Sequence, residues 1–275
     1  MNAARPGDGV TRRNLPSVLS DAERTVLTDA VRLHPVPPDA QLVELAARPS
    51  LAYDPAGAGM FSSADLRHAA SATSRPLADV LHLRRSERLR LGAPHRRDLA
   101  ALLHRSARMI DHGIGDDGGP WSHRPAPSAG GTHPFDLLVL AHNVDGLPAG
   151  AYRFSPVSAQ LQTASIPAEY VATLTDAVTA AARRGSPPPA TVILVANLYR
   201  TFCRYPHGLT LLLRDAGALL TVLHLVAADL GLASTILGTG GNWLRPQAAA
   251  GEHEPLAVDC GALAVGRPLA NDAAE

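Results

Sequence analysis

Residues 191–197 read Thr-Val-Ile-Leu-Val-Ala-Asn, a β-branched run that stays apolar up to its last position. A half-exposed strand alternates apolar and polar side chains, so a run without alternation reads as a buried central strand. Working outward, Phe135–Asn143 (FDLLVLAHN) is a second strongly apolar strand. Residues 150–154 (GAYRF) form a third, joined to it by the turn at 144–149. Between these runs lies an amphipathic helix from Pro167 to Arg184, closed by Gly185 and a Ser-Pro-Pro-Pro break. A long core helix from Leu209 follows, with Gly231 placed as its stop, and the last strands fall at 234–237 and 260–265. Helices and strands are mixed without a regular βαβ beat, which makes the fold class α+β and not a doubly wound sheet.

The first 75 residues have a different character. Residues 1–16 read as a loose arm. Ser20-Asp21-Ala22-Glu23 has the spacing of a capping box that opens a helix to about Leu33. A second short helix is expected over Asp39–Arg48, and Ser63 is expected to cap a third toward Ser74. The chain therefore divides into a small helical segment, 1–75, and a main domain, 76–275. The latter opens with a helix from Leu77 into Arg84-Arg85-Ser86-Glu87-Arg88. Another helix covers Arg97–Ile110, and a long loop occupies 113–131.

Composition removes several function classes. There are 25 basic and 25 acidic residues, and every basic one is an arginine. Without lysine, neither a Walker A phosphate loop nor Schiff-base chemistry is available. Zero net charge, with no aromatic platform beside the arginines, argues against nucleic acid. The two cysteines, Cys203 and Cys260, are far apart with no CxxC, so a reducing, cytoplasmic setting is expected rather than a disulfide framework. The N-terminus carries no apolar signal region. The apolar stretch Leu209–Leu232 holds Arg214, Asp215, His224 and Asp229, the mark of a buried helix and not of a membrane span. The 12 histidines have no ligand spacing, so no metal site is expected.

Two features could carry chemistry. Arg84, Arg85, Arg88, Arg90, Arg96 and Arg97 crowd one segment with Ser86, a donor set suited to a phosphate monoester and equally to a solvated helix end. Pro127-Ser128-Ala129-Gly130-Gly131 and Gly238-Thr239-Gly240-Gly241 are small-residue loops that let backbone approach a ligand, or ordinary turns. Neither gives a dinucleotide fingerprint.

In their order and spacing, RRSERLRL (84–91), RPAPSAGGTHPFDLLVLAHNVDGLPAGAYRFSPVSAQL (124–161), CRYPHGLTLLLRDAGALLTVLHLVAADLGLASTILGTGG (203–241) and LAVGRP (263–268) resemble the nitroreductase-like flavoproteins. Within them, the chain is most similar to the SagB-type dehydrogenases that oxidise azolines in modified peptides. The resemblance implies a central, mostly antiparallel sheet flanked by helices, and non-covalent FMN at a homodimer interface. By position it implies that Arg84, Ser86 and Arg88 serve the flavin phosphate and pyrimidine edge. It sets Pro127, Ser128 and Ala129 against the isoalloxazine from the partner subunit, Leu237, Gly238 and Thr239 facing flavin N5, and Arg267 on the phosphate side. The family's catalytic Lys-Tyr pair is Arg204-Tyr205 here. Arginine cannot act as a base, but its charge favours a neighbouring phenolate. The implied reaction is proton removal from a thiazoline or oxazoline by Tyr205, with His207 as the other candidate base, and hydride transfer to FMN N5. Cyclodehydratase subunits are the implied partners. The alternatives are an NAD(P)H-dependent nitro or quinone reductase on the same scaffold, and a non-catalytic scaffold subunit that binds peptide or partner enzymes.

Overall fold

The run at 191–197 does form a strand, one residue longer than expected, and it is buried throughout. In the computed structural model of the chain, the described residues are 58–71, 74–116, 119–202, 204–205, 208–241, 243–244 and 257–269. The helices expected over 20–33 and 39–48 lie outside them.

The described elements, in chain order, are helices α1 (Ser63–Ser71) and α2 (Leu77–Leu83), strand β1 (Leu91–Gly92), helix α3 (Arg96–Ala107), and a ribbon of β2 (Asp111–Ile114) with β3 (Pro120–His123). After a 3-10 turn at Ala129–Gly131 come β4 (Phe135–Ala141), β5 (Gly150–Ser155), β6 (Gln160–Thr163), α4 (Ala168–Ala181) and β7 (Ala190–Asn197). The described chain ends with α5 (Leu198–Phe202), α6 (Gly208–Asp229), β8 (Ala233–Leu237), β9 (Trp243–Leu244) and β10 (Ala257–Pro268).

The main sheet runs β10-β7-β4-β5-β6, and each of these pairings is antiparallel. The free edge of β10 is covered by three short strands in succession: β9 at Ala257–Val258, β8 at Ala262–Gly266 and β1 at Arg267–Pro268. Its register slips between Asp259 and Ala262, where Gly261 takes φ +120°. A side chain there would be strained and would also press on Leu220 of α6, so the bulge requires glycine.

β4 and β7 lie in mid-sheet and are buried along their whole length, hence their continuous apolar sequences. On one face Leu138, Leu140, Ile193 and Val195 pack with Leu174 and Val178 of α4, joined by Leu91, Leu237, Ala262 and Ala264. Each such side chain taken from water contributes ~1.5–3 kcal/mol. α6 packs against β8 and β10, and α3 packs against α6.

Four local expectations change. The cap of α1 is Ser62, not Ser63: its Oγ accepts from Asp65 N, and Asp65 Oδ2 accepts from Ser62 N in return. Asp65 also pairs with Arg96 at the start of α3 (2.9 Å), and α1 packs along α3. The β2–β3 ribbon begins two residues before the loop expected over 113–131 and occupies its first part, and β6 pairs with β5 where no strand was expected. Both are polar pieces that pairing specifies and periodicity does not. The last strand is twice its expected length because its bulge and Asp259 interrupt the apolar pattern.

Candidate functional site

The segment Arg84–Gly92 runs along the edge formed by β8 and β10. Ser86 bridges to Ser234 at the start of β8, Glu87 N donates to the Ser234 carbonyl (2.9 Å), and Leu91–Gly92 pairs with Arg267–Pro268. This brings Arg84, Ser86, Arg88 and Arg267 to one end of that edge. Arg84 is half-buried and its Nη1 stands 3.2 Å from Nε2 of His224 on α6. Ser86 and Arg88 side chains are exposed. Arg267 places Nε and Nη2 on Asp98 Oδ2 (3.2 and 3.1 Å), the same carboxylate that accepts from His95 N at the start of α3.

At the opposite end of β8, Leu237 is buried, Gly238 is exposed with open space where a Cβ would stand, and Thr239 is half-buried. Five residues of extended chain separate Ser234 from Thr239, about 17 Å. Guanidinium and hydroxyl donors therefore occupy one end of a strand, and an open small-residue backbone the other. That set fits a ligand with an anionic head and a flat ring, the chemistry of FMN.

The second part of the site is the loop 127–131. Asp215 of α6, itself buried, accepts from Ser128 Oγ (2.6 Å) and from Ala129 N (3.0 Å), while Ser128 Oγ accepts from His133 N (2.9 Å). Gly130 and Gly131 take φ +58° and +63°. Arg204 Nη1 donates to the Gly130 carbonyl (2.9 Å), and the Tyr205 hydroxyl sits against the Gly130 Cα, 2.4 Å from where a Cβ would be. The structure thus joins Arg204 and Tyr205 to the 127–131 loop. His207 lies outside the described residues.

Alanine at Gly130 would occupy the place of the phenol oxygen and cost about 1 kcal/mol in backbone strain. We expect Gly130→Ala to displace the Tyr205 hydroxyl and to lower the stability of the fold by about 1 kcal/mol or more. Denaturant unfolding checks this; a variant as stable as the wild type would show that the loop takes the methyl group without strain.

Beneath the loop is a buried arginine cluster. Asp136 of β4 lies 3.5 Å from Arg153 Nη2 and 3.4 Å from Arg200 Nη1, and Arg200 also donates to the His133 carbonyl (3.3 Å). Burial, then the charge of Arg200, pushes Arg124 down to about 10. Burial, then Arg124, pushes His133 down to about 4, so its imidazole is neutral and its Nε2–H donates to the Ser122 carbonyl (2.9 Å). A small cavity reaches from this cluster to the loop, lined by Arg124, Ser128, His133 and Asp215 among others. His133 itself takes φ +42°, a strained conformation for a residue with a side chain.

Sequence reading missed Asp136, His133, Asp215 and His224. The last two were legible as polar residues on an otherwise apolar helix, where a buried polar group needs a partner. They stand nine residues apart on α6, about 13 Å along its axis. The 127–131 loop and the Arg84 segment are therefore held at separate stations of one helix.

Comparison with known proteins bears on the family and the fold. The nitroreductase family model matches residues 35–241, and the chain belongs to the nitroreductase family. A crystal structure from Ralstonia eutropha JMP134 assigned as a nitroreductase is 26% identical, with TM-score 0.50, over 73% of this chain and 86% of that one. A structure from Anabaena variabilis with the same assignment is 18% identical, TM-score 0.52, over 81% of this chain but only 42% of that one. The E. coli microcin synthetase McbBCD complex, solved with truncated pro-MccB17 bound, contains a chain 17% identical, TM-score 0.51, over 90% of this chain and 93% of that one. No curated protein sequence matches. At these identities the last two show a shared fold.

Proposed function

We propose that this chain is an FMN-dependent azoline dehydrogenase that converts thiazoline or oxazoline rings of a ribosomally made peptide to azoles. The observation that carries the reading is the contact of Arg204-Tyr205 with the 127–131 loop, which sets a phenol beside the backbone that the family resemblance assigns to the flavin ring. Arg84, Ser86, Arg88 and Arg267 would hold the phosphate side, and Leu237, Gly238 and Thr239 the ring. Bound FMN would supply a hydride acceptor.

The chain's own residues do the rest. Arg204 fixes the loop through the Gly130 carbonyl and brings positive charge to its neighbour. Tyr205 removes the proton from the azoline ring carbon. Asp215 keeps Ser128 and Ala129 in place for the ring. Since one chain holds the loop and the phosphate-side arginines at separate stations of α6, two chains exchanging loops in a cytoplasmic homodimer would complete two sites. The likeness in fold to a chain of a peptide-modifying complex, across nearly the full length of both, supports a peptide substrate and cyclodehydratase partners.

A second reading rests on the Ralstonia structure: an NAD(P)H-dependent reductase of nitro compounds or quinones. A visible spectrum of the purified protein, with chromatography of the cofactor released by heat, comes first. We expect stoichiometric FMN and loss of two hydrogens from an azoline peptide, slowed at least tenfold in Tyr205→Phe. Rapid NAD(P)H oxidation without azoline turnover would favour the reductase. Failure to bind added FMN would leave a non-catalytic scaffold.

A further inference from the structure

His224 is buried in α6 and bonded through both ring nitrogens. Nδ1 is 2.8 Å from Ser234 Oγ, and Nε2 is 3.2 Å from Arg84 Nη1. A guanidinium only donates, so Nε2 must accept, and the proton of the neutral ring must sit on Nδ1 and go to the serine oxygen. The arginine thereby selects the tautomer. Ser234 is also the residue to which Ser86 bridges and whose carbonyl takes Glu87 N. The histidine and serine together fix the side chain of Arg84 and the backbone of the two residues that follow Arg85.

Protonation would put an N–H where the acceptor is now, facing the guanidinium. The charged and titratable groups on the elements packed against α6 are Asp79 and His82 on α2 with Arg84 just after it, Arg96, Arg97, Asp98, His104 and Arg105 on α3, Arg200 on α5, and Asp259 and Arg267 on β10. Of these, Arg84 is the one whose charge acts on the ring, and Arg105 is paired with Asp229. Burial, then Arg84, holds His224 below the ordinary histidine range, so the ring is neutral at pH 7.

We propose that His224 is a positioning residue for flavin binding: it orients Arg84 toward the cofactor phosphate and makes flavin retention fail in acid. The inference rests on the FMN reading above. Its role is distinct from the phosphate contact itself, since Nε2 touches the guanidinium.

The test is titration of the flavin-free protein with FMN, followed by flavin fluorescence, at pH 7.5 and across the range to pH 5. The wild type, His224→Gln and His224→Leu are compared. A glutamine can accept from Arg84 and donate to Ser234 but cannot titrate; leucine can do neither. The FMN phosphate itself takes up a proton near pH 6, and because the glutamine variant meets the same ligand, the difference in slope belongs to the histidine. At pH 7.5 we expect glutamine within about threefold of wild type and leucine weaker by about tenfold, as for one hydrogen bond to a charged group. Between pH 7.5 and 5 the wild-type Kd should rise more steeply than that of the glutamine variant. Equal slopes, or leucine binding like wild type, would overturn the proposal while leaving FMN as the cofactor. Wild type that binds no FMN at pH 7.5 removes the cofactor reading and this inference with it. If the leucine variant does not fold, the glutamine slope decides.

Discussion

Asp136→Ala is expected to lower the stability of the fold by about 3–5 kcal/mol, the cost of removing one partner from a buried ion pair. Asp136 is almost fully buried and stands within 3.5 Å of both Arg153 and Arg200, themselves largely covered, while Arg124 adds a third guanidinium nearby. Taking away that carboxylate leaves cationic charge concentrated in a low-dielectric region beneath the 127–131 loop. Burial already pushes Arg124 down to about 10, with Asp136 acting in the opposite sense. Loss of the carboxylate moves the balance further against the folded state. Denaturant unfolding measures the effect, and a fall in midpoint without a change in slope is expected. A variant within 1 kcal/mol of wild type would show that the cluster rests on other groups. Asp136→Asn, which can still accept hydrogen bonds, should fall between the two.

The second large effect is a loss of stability in acid caused by His133. Unfolded, this imidazole titrates near 6.5; folded, burial and then Arg124 hold it down to about 4. Above pH 6.5 both states are neutral and the contribution is fully present. As pH falls from about 6.5 to about 4 the unfolded chain takes up a proton that the folded chain refuses. The stability lost across that window is about 3 kcal/mol, and below it this group costs nothing more. His104, His142 and His224 are also held low, chiefly by burial, and act in the same direction. The difference between wild type and His133→Gln therefore isolates this residue, since glutamine can still donate to the Ser122 carbonyl. Parallel stability curves for the two proteins would refute the assignment.

The sheet was legible wherever burial was two-sided. FDLLVLA and TVILVAN announce mid-sheet strands because both faces of each must be apolar. The polar QLQT of β6 and the DHGI and PWSH of the ribbon make sense only beside their partners, which the chain brings together by folding. Of the candidate residues, the resemblance in motif order located Arg84, Ser86, Arg88 and Arg267, and pairing gathers them at one edge. What could not be read was the support. Asp215 and His224 served in the sequence as evidence against a membrane span, although each fixes a separate part of the candidate site. Asp136 sits inside an apolar strand with nothing local to show that Arg153 and Arg200 arrive from elsewhere.

β10 has a consequence for how the chain comes off the ribosome. It is the hub of the sheet, flanked by β7 on one edge and by β9, β8 and β1 on the other, yet it is made after all of them. Until residues 257–268 emerge, β7 has a bare edge, and the Arg84 segment has no strand to lie on through Leu91–Gly92. Such late, long-range pairing is intrinsically slow and leaves apolar strand edges open to other chains in the meantime. Nascent copies of this protein thus carry an open β7 edge, and the Arg84 segment gains its last strand partner only once synthesis of the hub strand is complete.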